Sequence, residues 1–240
     1  MIPINIGAKT DQKVRSNLWI ILLFDIVFLG LTIRRAVVLG KSPMVYFGET
    51  GIISWLSCIQ LLVLSGLAWR ISLVRKQVET KVKKAHETLW KLIALGFLYL
   101  AVDEILQIHE ATDWLIHWLF KMEETRLTDS IDDAIVALYG IIGVYLLYKF
   151  WDEFKQYFQA FRLFIFAFVL KLVMVIFDFY TNDEMLLSDR FSDPEEQKMM
   201  LDWLTTIEDS FKILAEGVFI AAFCACLQIA KRITRQHITS

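Results

Sequence analysis

The chain has 240 residues, 56% of them hydrophobic, and a formal net charge of −2. A soluble domain is usually about 45–50% apolar. Here the excess is gathered into long runs, so the composition indicates an all-α, polytopic membrane protein and argues against an ordinary soluble domain. The charge gives no reason to expect nucleic acid as a partner. We expect a single membrane domain over residues 1–240.

Six apolar runs have about the length that a helix needs to cross a bilayer, roughly 20 residues. No secretory cleavage site ends the first run, so we interpret it as a retained helix rather than a signal peptide. Asp25 interrupts this run. The sequence therefore predicts a bundle of about six transmembrane helices, at approximately 17–34, 51–70, 89–109, 131–150, 158–180 and 207–230.

Lys and Arg residues are distributed unevenly between the segments that join these runs. The two termini and the segments 70–84 and 149–162 together hold 15 of them, whereas the alternate loops hold 7. Cytoplasmic loops are enriched in Lys and Arg. We therefore expect both termini in the cytoplasm and the acidic loops 111–130 and 181–206 outside.

Two segments outside the apolar runs predict local structure. Residues 148–162 mix aromatic and charged side chains, which is typical of an interfacial segment. In SDPEEQ, residues 192–197, Asp193 is a favourable N-cap and Pro194 suits the first helical turn. The last helix is therefore expected to begin near residue 194, outside the membrane.

Polar and ionisable side chains recur at one depth in five of the six predicted spans. At 1.5 Å per residue, all of them lie roughly 9–14 Å below the outer boundary. An ionisable side chain in a span costs at least about 2.5–3.5 kcal/mol. Several at matched depth are expected to face one another or a shared cavity. These residues are Asp25, Gln60, Asp103, Glu104, Lys171 and Glu216.

The last predicted helix carries a charged stripe. Glu208, Lys212 and Glu216 are spaced i, i+4, i+8 and therefore share one face. Lys171, at similar depth on the fifth span, is a candidate partner for Glu216. Asp25, Lys171, Lys212 and Glu216 are thus candidate charge partners. They form either an ion-pair ladder that joins helices or the lining of an ion pathway.

The stretch AVDEILQIHEATDWLIHW, residues 101–118, indicates a metal site. His109, Asp113 and His117 follow one another at intervals of four, and a helix can present such residues to one metal ion. His and carboxylate ligands suit Zn, Fe or Mn. A carboxylate in an apolar surround can serve as general base. The candidate metal ligands are His109, Asp113, His117, Asp103 and Glu208, and the candidate catalytic residues are Glu104 and Glu110.

This pattern also has a structural interpretation. It lacks the H-E-x-x-H arrangement of zinc proteases and the Glu-x-x-His pairs of carboxylate di-iron bundles. The alternative is an interfacial helix with a polar face rich in His and acids, anchored by Trp114 and Trp118. Both interpretations place the segment at the outer side of the membrane.

Three functions agree with these observations. The first is a membrane enzyme in which a divalent metal activates water for attack on a lipid-like or small substrate. The second is a proton or cation channel or transporter, although the inner halves of the spans are nearly free of charge. The third is a non-catalytic module that binds a partner. The expected partners are the lipid bilayer and further copies of the chain, in a homo-oligomer.

Overall fold

A computed structural model of the protein describes residues 8–48, 50–77, 84–121, 131–182 and 193–239, and in these ranges the chain is helical without strands. One 3-10 helix covers Lys155–Ala160. The α-helices are α1 Ala8–Val38, α2 Met44–Phe47, α3 Ile52–Lys76, α4 Lys84–Leu106, α5 Ile108–Phe120, α6 Ile131–Lys149, α7 Trp151–Phe154, α8 Phe161–Asn182 and α9 Pro194–Thr239.

Four segments are long and apolar enough to cross a membrane. The all-helical, membrane-type architecture therefore agrees with the sequence, whereas the count of about six spans is not confirmed. Charged residues interrupt α4, which was predicted as a span at 89–109. Helix α6 was predicted as a span at 131–150, but it is described as an apolar helix only over Leu138–Lys149. The four segments are Ser16–Val38, Met44–Lys76, Trp151–Asp178 and Pro194–Gln236.

The long helix α9 is the axis of the bundle, and α1, α3 and α8 pack along it. Its 46 residues make a rod about 69 Å long at 1.5 Å per residue. A whole bilayer is about 40–45 Å thick, so α9 continues beyond the membrane. At its start, Asp193 Oδ1 accepts a hydrogen bond from the backbone N–H of Glu195 at 3.0 Å. The helix start predicted at Pro194 is therefore confirmed.

Helix α4 runs back along α3 in the opposite direction. Ser65 Oγ of α3 donates to the backbone carbonyl of Ala94 of α4 at 2.8 Å. Buried side chains of α3, α4 and α9 meet in the half of the bundle that contains the C-terminal ends of α3 and α9. We call this set the apolar layer; it includes Leu64, Ala68, Trp90, Ala94, Phe223 and Cys226.

The third predicted helix is broken at Gln107. Its φ of 51° and ψ of 47° lie in the left-handed region, where few non-glycine residues occur. Helix α4 ends before it and α5 begins after it. Asp103 Oδ1 accepts a hydrogen bond from the backbone N–H of His109 at 2.9 Å, which satisfies a free donor at the start of α5. A continuous helix over 89–109 is therefore wrong.

A buried ion pair joins α3 to α7. Nε and Nη2 of Arg75 donate to the two carboxylate oxygens of Glu153 at 2.9 and 2.7 Å. Trp90 Nε1 and the Tyr157 hydroxyl donate to Glu153 Oε1 at 3.1 and 2.9 Å. All four side chains are buried. The 148–162 segment thus directs Glu153 and Tyr157 inward, while Phe158 is exposed.

Replacement of Arg75 by Leu is expected to destabilise the protein by about 3–5 kcal/mol, since the Glu153 charge would remain buried without its partner. The measurement is the unfolding free energy in detergent. The exposed neighbour Lys76, replaced by Ala, is the control and should unfold like the wild type. Equal stability of the two variants would contradict the role of this ion pair.

Candidate functional site

Buried and half-buried polar side chains from five helices meet around the middle of α9. We call this set the polar cluster. It lies beyond the apolar layer, towards the N-terminal ends of α3 and α9 and the C-terminal end of α4. Its members are Asp25 of α1, Ser57 and Gln60 of α3, Glu104 of α4, Lys171 of α8, and Asp209, Lys212 and Glu216 of α9.

Lys212 connects α9 to α4. Its Nζ lies 2.8 Å from Glu104 Oε1 and 3.3 Å from Asp209 Oδ1. Hydrogen bonds between charged groups are stronger than neutral ones, so this contact holds the two helices together. Lys212 therefore pairs both along its own helix, with Asp209, and across to α4, with Glu104.

Glu216 connects α9 to α3 and α8. Its Oε1 accepts a hydrogen bond from Ser57 Oγ at 3.1 Å and lies 3.8 Å from Lys171 Nζ. The structure thus contains the Lys171–Glu216 pair that the sequence suggested. Glu216 is 3% exposed, and its Oε2 has no hydrogen-bond partner in the described part of the chain.

Asp25 connects α1 to α3 and α9. The side chain is completely buried, and its Oδ1 accepts a hydrogen bond from Gln60 Nε2 at 2.8 Å. Its Oδ2 packs against Gly217, where the Cβ of any other residue would collide with it. The absence of a side chain at Gly217 therefore allows α1 to approach α9 closely.

Acidic groups outnumber basic groups in the polar cluster. It contains the four carboxyl groups of Asp25, Glu104, Asp209 and Glu216 but only the two lysines Lys171 and Lys212. If every group were ionised, the cluster would hold two uncompensated negative charges inside the bundle. Such charges are strongly disfavoured in a low-dielectric interior. Protons or a bound cation would neutralise them.

The histidines of α5 form two separate pairs. His109 Nδ1 lies 3.0 Å from Asp103 Oδ2, and its Nε2 lies 3.7 Å from Glu110 Oε1. His117 Nδ1 lies 3.1 Å from Asp113 Oδ1. Each ring therefore has a carboxylate neighbour of its own, and each pair is local to the start or the end of α5.

Helix α5 has the two faces of an interfacial helix. Trp114 and Trp118 are 67% and 65% exposed, whereas His117 and Asp113 are largely covered. A short helix with one strongly apolar face lies along a membrane surface. This arrangement favours the anchoring role that the sequence left as the alternative for this segment.

The candidate metal ligands do not converge. Glu208 Oε2 accepts a hydrogen bond from Thr181 Oγ1 at 3.2 Å, on the α8 side of α9. The other candidates are divided between the two histidine pairs. Within the ranges given above for the structure, no three His, Cys, Asp or Glu side chains are placed to hold one metal ion. The geometry therefore does not support the predicted metal site.

The two candidate catalytic acids lie apart from each other. Glu104 belongs to the polar cluster through Lys212, while Glu110 lies beside the His109 pair. Gln107 Nε2 donates to Glu110 Oε1 at 3.5 Å. The break at Gln107 separates the two acids, because it turns α5 away from the axis of α4.

Sequence reasoning missed Ser57 and Gly217. Ser57 is one turn from Gln60 on α3, so the two residues share a face, and this spacing was visible in the sequence. Gly217 follows Glu216 directly, and a glycine beside a charge within a span indicates a close helix contact. Arg75 and Glu153 were also missed, since Arg75 lies in a predicted cytoplasmic loop and Glu153 in a segment predicted to be interfacial.

Replacement of Lys212 by Met should destabilise the protein by about 3–5 kcal/mol, because Glu104 and Asp209 would lose their cation. The double variant Lys212→Met/Glu104→Gln should recover part of this loss. A double-mutant cycle in unfolding free energy measures the coupling, expected at about 0.5–3 kcal/mol. Strictly additive effects would contradict the contact.

Comparison with known proteins identifies the family but no characterised relative. No curated protein and no solved structure matches the chain. A family model described as a domain of unknown function matches residues 17–227, which include every member of the polar cluster and both histidine pairs. The chain belongs to this family, the domain of unknown function DUF8692.

Proposed function

We propose that this protein is a proton-coupled membrane transporter or channel, in which the polar cluster binds and releases the protons. The observation that supports the proposal is that carboxyl groups, three buried and one half-buried, outnumber lysines in the cluster. Protons are the smallest counter-charge that can neutralise such acids, and buried carboxyl groups take them up readily. Ionisable residues within membrane proteins commonly mark such pathways.

The contacts of α9 suggest how a proton would move through the cluster. Glu208 is one turn from Lys212, and Lys212 is one turn from Glu216. Lys212 and Lys171 each lie beside a carboxylate. A proton that binds one carboxylate removes the negative charge that the neighbouring lysine neutralises. This changes the electrostatic environment of the next carboxylate along α9. In this proposal both termini are cytoplasmic and protons enter from the outer side.

The apolar layer argues for gated transfer rather than an open pore. Buried groups such as Leu64, Ala68, Phe223 and Cys226 fill the bundle between the polar cluster and the Arg75–Glu153 pair. A dry apolar constriction blocks the passage of ions and protons. Transfer across the membrane would therefore require the helices to move apart there, and protonation of the cluster would change the ion pairs that hold them together.

The test is proton flux into liposomes that contain the purified protein and a pH-sensitive dye. A potassium diffusion potential would drive the flux. We expect proton flux in the wild type and a flux near that of empty liposomes for Glu216→Gln, because Gln cannot exchange a proton. The matched control is Glu195→Gln, since Glu195 is exposed at the start of α9.

Two results would contradict the proposal. One is a wild-type flux no greater than that of empty liposomes under inward and outward proton gradients. The other is a Glu216→Gln variant that is folded and conducts like the wild type. Either result, with lower thermal stability of the variant, would favour the third function, in which the polar cluster is structural.

A metal-dependent enzyme stays a prediction from the sequence, with one contact in its favour. The hydrogen bond from His109 Nδ1 to Asp103 Oδ2 is of the kind that orients a metal-ligating imidazole. Elemental analysis of the purified wild type beside His109→Ala/Asp113→Ala would test it. Zn, Fe or Mn near stoichiometry, lost in the variant, would support a metal site. No metal after supplementation with all three would contradict it.

A further inference from the structure

We infer that Asp25 holds a proton in the folded bundle and pairs with Gln60 as a neutral acid–amide pair. This assigns a proton-binding site between α1 and α3. The inference deepens the proposed proton-coupled function and rests on it for its physiological meaning. Its test, however, detects the proton on Asp25 directly, whether or not the protein transports protons.

If Asp25 is ionised, the side chains of Asp25 and Gln60 have one hydrogen-bond donor too few to pair with their acceptor oxygens. An ionised carboxylate only accepts, and an amide has two N–H donors and one acceptor oxygen. Gln60 Nε2 donates to Asp25 Oδ1 at 2.8 Å. Asp25 Oδ2 and Gln60 Oε1 are then both buried acceptors without a partner in the described chain.

One proton on Asp25 Oδ2 supplies the missing donor. The resulting O–H would donate to Gln60 Oε1 while Gln60 Nε2 donates to Asp25 Oδ1. A single proton shared in this way would give each of the two acceptors a partner. Buried polar atoms in folded proteins are nearly always hydrogen-bonded, so a state that pairs both atoms is favoured over one that leaves both unpaired.

Among the residues that the structure describes, no lysine or arginine side chain pairs with Asp25. Helix α3 presents the neutral Gln60 and Ser57. Helix α9 presents Gly217, which has no side chain, and Glu216, whose own side chain is a carboxyl group. Lys171 of α8 contacts Glu216 rather than Asp25. A negative charge on the completely buried Asp25 would therefore be uncompensated.

The packing at Gly217 favours a proton over a metal cation. Asp25 Oδ2 lies directly against the backbone of α9 at this glycine. A cation such as Na⁺ or Ca²⁺ would need space for several oxygen ligands around it, and α9 occupies that space. A proton needs no such space, because it lies within the hydrogen bond.

The first measurement is the infrared spectrum of the purified protein at pH 7, wild type minus Asp25→Asn. We expect a carbonyl band of a protonated carboxyl group that is present in the wild type, shifts in D₂O and is absent from the variant. Asp152→Asn is the matched control, since the side chain of Asp152 is 94% exposed, and it should leave the band unchanged. Absence of the band from the wild type would overturn the inference.

The second measurement is stability. Asn has an N–H₂ group where protonated Asp has O–H, so Asp25→Asn preserves both hydrogen bonds to Gln60. We expect the variant to be at least as stable as the wild type at pH 7, whereas Asp25→Ala should be less stable. A strongly destabilised or unfolded Asp25→Asn would overturn the inference, because it would show that the ionised carboxylate is required.

These outcomes are separable from those of the flux experiment. A protonated Asp25 in a protein without proton flux would leave the acid–amide pair intact and contradict the transport proposal. Proton flux with no protonated carboxyl band would contradict the acid–amide pair and leave the role of Glu216 intact. The two claims therefore fail independently.

Discussion

Charged side chains inside a bilayer cannot be hydrated by bulk water, so each must be met by a polar group from the protein. This constraint organises the bundle around α9. Lys212 meets Glu104 of α4, Glu216 meets Ser57 of α3 and Lys171 of α8, and the backbone at Gly217 contacts Asp25 of α1. The charged side chains of α9 thus contact side chains of α3, α4 and α8, and α1 packs against α9 at Gly217. These contacts determine how closely the helices pack.

The bundle is divided into layers of different character. The polar cluster lies in one half, the apolar layer in the other, and the Arg75–Glu153 pair closes the far end. Ion pairs are sensitive to a change of one charge, whereas a packed apolar layer resists gradual deformation. A proton that enters the cluster would therefore alter contacts between helices before it crosses the apolar layer. This order of events is what a gated pathway requires.

The position of α5 gives it a different role from the one suggested by its histidines. The break at Gln107 releases α5 from the axis of α4, and its exposed tryptophans face away from the bundle. Asp103 is shared between the two helices because it accepts from the backbone and the ring of His109. The segment thus forms a separate short helix that follows the C-terminal end of α4.

Much of the architecture was available from residue patterns alone. Apolar runs predicted a helical membrane protein, and Asp193 with Pro194 predicted the start of α9. Matched depth predicted that six polar residues converge, and five of them do, while Asp103 pairs with His109 instead. The six are Asp25, Gln60, Asp103, Glu104, Lys171 and Glu216. These features depend on local composition and spacing, which a sequence displays directly. The number of spans was less certain. Charged residues lie within α4, and only a short part of α6 is described as apolar, so the length that either helix contributes as a span is not defined.

By itself, then, the sequence determined the helical class, the apolar segments and the candidate charged residues. Only the tertiary structure decided which charges pair, because pairing depends on how helices distant in the chain are rotated against one another. Lys212 pairs across to Glu104 of α4 as well as with Asp209 on its own helix, and Gln60 of α3 meets Asp25 of α1. The left-handed turn at Gln107 likewise separated residues that an uninterrupted helix would have aligned.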